Sequence, residues 1–263
     1  MKNSLSWKKT FFTVYIGQGF SLLSSSAVQF SIIWWITVQT ESAIALTIAS
    51  VVGLLPQAII GPFAGVWIDR YSRKAIMIIA DLAVAISSFV LFIMFFVGTP
   101  NMIFVYAILA IRALGETFHK PATQALIPQI VPPQELTKAG GFGQMISSAC
   151  SMVGPMLGAL LMSITTLQYA LLVDVFGALL AVITLSIVKS TRHKNINTSN
   201  SVIADLKIGF AAIKKNKALY RLGIPMFIAT VIFVPIGTLI PLIIKTYFQG
   251  TAWHTGLAQT LFQ

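Results

Sequence analysis

Charge is absent from long stretches of this chain, and that absence limits its fold more than any motif does. No charged residue lies between Lys9 and Glu41, or between Glu41 and Asp69. The apolar runs there, Phe11 to Val38 and about Ile44 to Ile68, are followed by five more. These are Ala75 to Val97, Met102 to about Phe118, Ala139 to Ile164, Leu167 to Val188 and Leu222 to Ile244. A helix that crosses hydrocarbon takes about 20 apolar residues, so each run fits one crossing. An eighth begins near Gly256-Leu257-Ala258. Only 10% of the 263 residues are charged, 56% are hydrophobic and the mean hydropathy is +0.84. Soluble domains are about a quarter charged, so an ordinary soluble enzyme is excluded. The expected fold is an all-α polytopic membrane protein, a six-helix bundle plus the start of a second, with seven to eight spans. The first run is too long for a cleaved signal peptide, lacks a small-residue cleavage site and leads directly into further spans.

The net charge of +11 has a topological reading. Lys2, Lys8 and Lys9 precede the first run. Arg70, Arg73 and Lys74 follow the second, and Lys120 and Lys138 follow the fourth. Lys189, Arg192, Lys194, Lys207, Lys214, Lys215, Lys217 and Arg221 follow the sixth. The opposite loops hold only Lys245. Cations collect on the cytoplasmic side of membrane proteins, so the N-terminus and these loops are expected inside a cell membrane. The basic balance then calls for no nucleic-acid partner, although the loops can touch anionic lipid. Cys150 is the single cysteine, which excludes an intrachain disulfide and a multi-Cys metal site. No metal-ligand spacing, nucleophile elbow or phosphate-binding loop occurs, so neither a cofactor nor an enzymatic activity is expected.

The runs divide the chain into a six-span unit (1–188), a basic cytoplasmic loop (189–221) and the start of a second unit (222–263). In the loop, Ile203, Leu206, Phe210 and Ile213 recur at helical spacing. They read as an interfacial helix or as a solvated linker. A complete second unit needs roughly 150 further residues, so a missing C-terminal half or a partner chain is expected.

Several polar residues stand out against this background. Gly61 and Gly65 form a small-residue face suited to close helix approach, and Asp69 follows beside Arg70, Arg73 and Lys74. In the fifth run Gly141 and Cys150 precede Gly154-Pro155 and Gly158-Ala159, a pattern for a kink, for close packing, or for both. Arg112 lies about ten residues into the fourth run, roughly 15 Å deep. A charge there pairs with another group or lines a path. Glu116, one turn away, and Asp81 are its candidate partners, and proton coupling is the alternative to a structural pair. Asp81 and Asp174 are lone acids within runs, and His119 reads as interfacial. Gln18, Ser21, Ser25 and Gln29 share one face of the first run, suited to a substrate cavity or to bonds between helices. Trp34 and Trp35 read as belt residues at the outer interface.

The stretch Gly61-Pro-Phe-Ala-Gly65-Val-Trp-Ile-Asp69-Arg70-Tyr-Ser-Arg73-Lys74 resembles the signature loop of the major facilitator superfamily, with Ser72 where Gly is usual. The fifth run resembles the antiporter motif of that superfamily's drug/proton exporters, with Cys150 and Ala159 replacing two glycines. The run from Arg112 through Gly115 to Pro121 resembles their span-four arginine motif, its Gly one position early. Across the whole chain the sequence is similar to the macrolide efflux branch. The local marks include Gly17-Gln-Gly19-Phe20-Ser21-Leu22, Val52-Gly53-Leu54-Leu55-Pro56, Phe118-His119-Lys120-Pro121-Ala122 and Leu136-Thr137-Lys138.

The resemblance implies two six-span halves rocking about a central site, with export of amphiphilic drugs such as macrolides against protons. It assigns conformational and proton-coupling roles to Asp69, Arg70, Arg73, Lys74, Arg112 and Glu116, a kink to Gly154, Pro155 and Gly158, and a cavity wall to Gln18, Ser21, Ser25 and Gln29. It also implies a latch at the cytoplasmic face that joins Arg73, Asp69 and Glu116. The alternatives are a metabolite uptake or exchange carrier, and a truncated membrane partner that does not itself transport.

Overall fold

The computed structural model describes residues 2–188 and 216–262. Its long helices are α1 (Lys2–Thr40), α2 (Ala43–Arg70), α3 (Arg73–Val97), α4 (Met102–Ile130), α5 (Leu136–Ile164), α6 (Leu167–Ile187), α7 (Lys217–Thr246) and the shorter α8 (Ala252–Phe262). Seven of these are long and apolar enough to cross a membrane. Polar side chains start them where the apolar runs begin. Ser42, Ser72 and Asn101 accept hydrogen bonds from the first-turn amides of α2, α3 and α4, which satisfies donors the helix itself cannot. The amphipathic stretch 203–213 lies outside the described residues.

Three helix bounds differ most from the sequence expectation, the first being α1, which is helical from Lys2 and not from Phe11. The chain is already helical at Lys217, ahead of Leu222. More consequentially, α4 continues past Phe118 to Ile130, through Pro121 and Pro128. Proline removes one helical hydrogen bond each time, a loss that membrane helices tolerate when neighbours support them. Here the added turns bury Ala122 and Leu126 beside Val14, Ile68, Met77 and Leu185. Lys120 therefore belongs to the middle of a helix and not to a basic loop.

The turns at 71–72 and 131–135, the C-terminus of α6 and the start of α7 mark the basic end of the bundle; the turns at 41–42, 98–101, 165–166 and 247–251 mark the opposite end. The central helix is α1, packed against α5 on one side and α6 on the other. From α6 the packing runs through α3 and α4 to α2. Contact between α1 and α4 is sparse, which leaves a space between them.

Glycines set the close approaches. A Cβ at Gly158 would meet the Ala27 carbonyl and the Phe30 ring, one at Gly154 the Ser26 side chain, and one at Gly177 the Ser24 side chain and the Phe20 carbonyl. Helices in lipid associate through such packing because the surrounding tails offer no hydrophobic drive. Gly61 and Gly65, expected to form a close helix contact, instead face open space among the described residues. Trp34 and Trp35 also depart from expectation. Both are buried, Trp35 edge-on to Phe95 at 5.3 Å and Trp34 among Phe30, Ala159 and Ala252. They are packing residues and not an interfacial belt.

These contacts make a direct prediction. Gly158→Val is expected to cost about 1–3 kcal/mol through overpacking against α1. Gly61→Ala, with no neighbour within 4 Å, is expected to change stability by less than about 0.5 kcal/mol. Thermal unfolding of the two variants in one detergent measures the difference.

Candidate functional site

The space between α1 and α4 is part of a cavity of about 950 Å³ bordered by α1, α2, α4, α5, α7 and α8. Its wall is mostly apolar. Gln18, Ser25, Gln29, Gln57, Gln124 and Gln144 supply dispersed uncharged polar groups, and Glu116 and Lys120 supply charge. Toward the opposite end the cavity is sealed. Ser50 of α2 and Thr238 of α7 lie 2.9 Å apart, oxygen to oxygen, and Leu242 packs on the core that holds Ile32 and Leu46. Ala252 of α8 packs beside Phe30 and Ala159. Toward the basic end α7 separates from the bundle, and residues 221–233 are exposed.

Two polar clusters stand behind this wall. In the first, Arg112 and Asp174 form an ion pair, 1% and 0% exposed. Ser88 of α3 joins it, accepting from Arg112 Nη1 at 2.6 Å and donating to Asp174 Oδ2 at 2.7 Å. Ser25 of α1 donates to Asp174 Oδ1 at 2.7 Å, while its carbonyl accepts from Arg112 Nη2 at 3.2 Å. Four helices thus meet at one carboxylate. The partner of Arg112 is neither Glu116 nor Asp81, and Asp174, though on a peripheral helix, is drawn fully inward.

In the second cluster, Asp81 of α3 is 4% exposed. It accepts from Gln18 Nε2 and from Ser21 Oγ, each at 3.2 Å. His119 Nε2 lies 3.4 Å from Asp81 Oδ1 and 2.7 Å from Gln18 Oε1. His119 is therefore part of a buried network and not an interfacial residue. Ser21, expected on the cavity wall with Gln18, Ser25 and Gln29, is turned into this network and buried. Gln18, Ser21 and His119 stand in two of the local marks quoted above, but no motif joins them to Asp81. The remaining signal was the lone acid within the third run.

At the basic end Arg73 pairs with Asp69 at 3.5 Å, with Asp69 73% exposed. Lys74 Nζ donates to the Ser186 and Val188 carbonyls at 3.0 and 2.7 Å, which ties the C-terminus of α6 to the start of α3. Glu116 makes no ion pair among the described residues and faces the cavity. Only the Arg73–Asp69 part of the expected latch is formed. Gly154, Pro155, Gly158 and Ala159 pack between α1 and α8, where a Cβ on Gly256 would meet Ala159 and the Pro155 carbonyl. The glycine-proline pattern thus serves packing on two sides of α5. Among the described residues no group of three or more His, Cys, Asp or Glu could hold a metal ion.

Comparison with known proteins agrees with this architecture. The sequence model of the Major Facilitator Superfamily matches residues 14–262. The chain is 37% identical over 264 residues to macrolide efflux protein A of Streptococcus pyogenes, which covers 100% of this chain and 65% of that protein. It is 36% identical over 223 residues to macrolide efflux protein A of Enterococcus faecalis, covering 84% and 69%. This chain thus spans less than two thirds of the length of the streptococcal relative. Among solved structures, a bacterial homologue of the human lysosomal transporter Spinster, in an inward-facing and unoccupied conformation, has the same fold. The TM-score is 0.73 at 14% identity, over 96% of this chain and 58% of that one.

The first cluster can be tested by stability alone. Arg112→Met and Asp174→Leu each leave a buried charge without its partner, and each is expected to cost about 3–5 kcal/mol. The double variant removes both charges and is expected to be more stable than the sum of the single losses predicts. Chemical denaturation of the four proteins in detergent gives the coupling, and strictly additive losses would count against a shared pair.

Proposed function

The chain belongs to the Major Facilitator Superfamily, and from that membership we propose that it forms part of a secondary active transporter, a proton-coupled exporter of hydrophobic or amphiphilic drugs such as macrolides. It resides in the cytoplasmic membrane with its N-terminus inside. Its partners are the lipid bilayer, protons, a small amphiphilic substrate and the second bundle. The relatives named macrolide efflux proteins support the substrate class. The observation that carries the reading is the cavity. It has about 950 Å³ of space, within the range of small-molecule sites. Its apolar wall suits the body of an amphiphile, and its scattered amides and hydroxyls suit a polar ligand edge. The seal at the end away from the basic turns supports access from the cytoplasmic side.

Within this reading Gln18, Ser25 and Gln29 contact substrate. Arg112 fixes α4 against α6, and Glu116 is the acid that meets the substrate or its exchanging proton. Asp69, Arg70, Arg73 and Lys74 form the turn that changes when the halves rock. Gly154, Pro155 and Gly158 let α5 slide against its neighbours.

The decisive experiment expresses the chain with its surrounding reading frame in a bacterial host that lacks its own drug exporters. Accumulation of radiolabelled erythromycin is expected to fall several-fold and to recover when a protonophore is added. Equal accumulation with and without the protein would defeat the proposal.

Asp69→Asn leaves Arg70, Arg73 and Lys74 without their local counter-charge. The pair is exposed and contributes at most about 1 kcal/mol to stability, so insertion is expected to be normal while export falls several-fold. Orientation has its own test. In a Cys150→Ser background, Gln249→Cys is expected to react with an impermeant maleimide outside intact cells, and Gln134→Cys to react only after lysis.

A further inference from the structure

We propose that His119 and Asp81, bridged by Gln18, form a proton-binding site in the wall of the cavity, separate from the permanently paired Arg112 and Asp174. Asp81 sets the site's need for a counter-charge. Its carboxylate is buried and accepts hydrogen bonds from two neutral donors, Gln18 and Ser21. His119 is the one group able to carry positive charge within 4.0 Å of it among the described residues. A buried carboxylate demands a counter-charge or its own proton. A proton added here is therefore shared between the two groups, since either the imidazolium or the carboxyl form satisfies Asp81.

The hydrogen bonds show where that proton moves. Gln18 donates through Nε2 to Asp81, so its Oε1 faces His119. A carbonyl oxygen only accepts, so His119 Nε2 keeps its hydrogen. Gain or loss of charge then falls on Nδ1. His119 borders the cavity, which puts the imidazole within reach of a proton from that side, and only an N–H bond is made or broken. At the other cluster Arg112 does not release its proton under any ordinary condition, so the arginine itself is no proton carrier.

The other groups around His119 are few. On α4, Glu116 and Lys120 flank it along the cavity wall, and on α1 the phenol of Tyr15 borders the same space. The helices α2 and α5 present Gln57 and Gln144 there but no charge. On α6, Asp174 is already bound by Arg112, Ser25 and Ser88. Uncharged His119 would leave Asp81 uncompensated and loosen the junction of α1, α3 and α4, and charged His119 would tighten it. Protonation and the shape of the cavity wall are thus linked at one point.

The role in transport rests on the exporter reading, but proton binding itself does not. Protein carrying ¹⁵N-histidine is reconstituted in lipid nanodiscs and followed by NMR from about pH 5 to about pH 9, the range in which histidine charge changes. His119→Gln identifies its resonances among those of the three histidines. The Nδ1 signal of His119 is expected to change with pH in wild type, and that pH response to differ in Asp81→Asn. A signal that stays constant over the whole range overturns the site, as does one that titrates identically in Asp81→Asn. The constant-signal outcome needs only wild type, so misfolding of the Asp81 variant does not protect the proposal. Failure of the exporter reading shows separately, as absent erythromycin efflux from wild type with the His119 titration intact.

Discussion

The ion pair between Arg112 and Asp174 is the interaction on which the bundle depends. It is placed where water cannot compensate either charge, and its two serines recruit a helix each. Through it α4 is fixed against α6, α3 is held between them, and α1 is pinned at mid-height. Breaking such a pair costs far more than it contributed when intact, so the four helices behave as one body. The pair also decides what the cavity sees. Because Arg112 is turned away and neutralised, Glu116, one helical turn along, remains as the acid on the wall.

Around that pin, two kinds of contact divide the work. Polar side chains join α1 to α3, α4 and α6, where removal of a hydrogen bond inside hydrocarbon leaves a group with no water to accept it. Glycines join α1 to α5 and α6, and α5 to α8, where close backbone approach replaces side-chain interlocking. The contact of α5 with α8 combines both, since Thr260 Oγ1 also donates to the Met152 carbonyl at 2.8 Å. The link between α2 and α7 at the sealed end includes a single hydroxyl pair, Ser50 with Thr238. Among the described residues α7 and α8 thus join the bundle through isolated hydroxyls, Thr238 and Thr260, and not through a buried network.

The spans, their order and the basic turns were legible in the sequence because hydrocarbon permits only long apolar helices with their backbone bonds satisfied internally. The partner of Arg112 was not, yet depth alone held the clue. Counted from the opposite end, Arg112 lies ten residues into α4 and Asp174 seven into α6. At about 1.5 Å per residue they differ by roughly 4–5 Å, whereas Asp81, sixteen residues from Val97, lies roughly 9 Å deeper than Arg112. His119 and Lys120 were misplaced because Phe118 was taken as the end of a span, although a helix supported by tertiary packing runs through its prolines. The burial of Trp34 and Trp35 and the open face at Gly61 and Gly65 were beyond sequence reasoning, because a residue type does not say which side of a helix its neighbours occupy.

The distribution of the polar bonds along the chain has a consequence for biogenesis. Ser25 must wait for an acid 149 residues downstream, and Arg112 for one 62 residues downstream. At about 5–20 residues per second of synthesis, those intervals are roughly 7–30 seconds and 3–12 seconds. Gln18 and Ser21 find Asp81 after 63 and 60 residues, but Ser25 and Arg112 lack their acid throughout these intervals, and a lone charge is not at ease in bare lipid. The early helices must therefore stay beside the insertion machinery, or beside one another, until α6 has emerged. The arrival of Asp174 completes the polar contacts among α1, α3, α4 and α6.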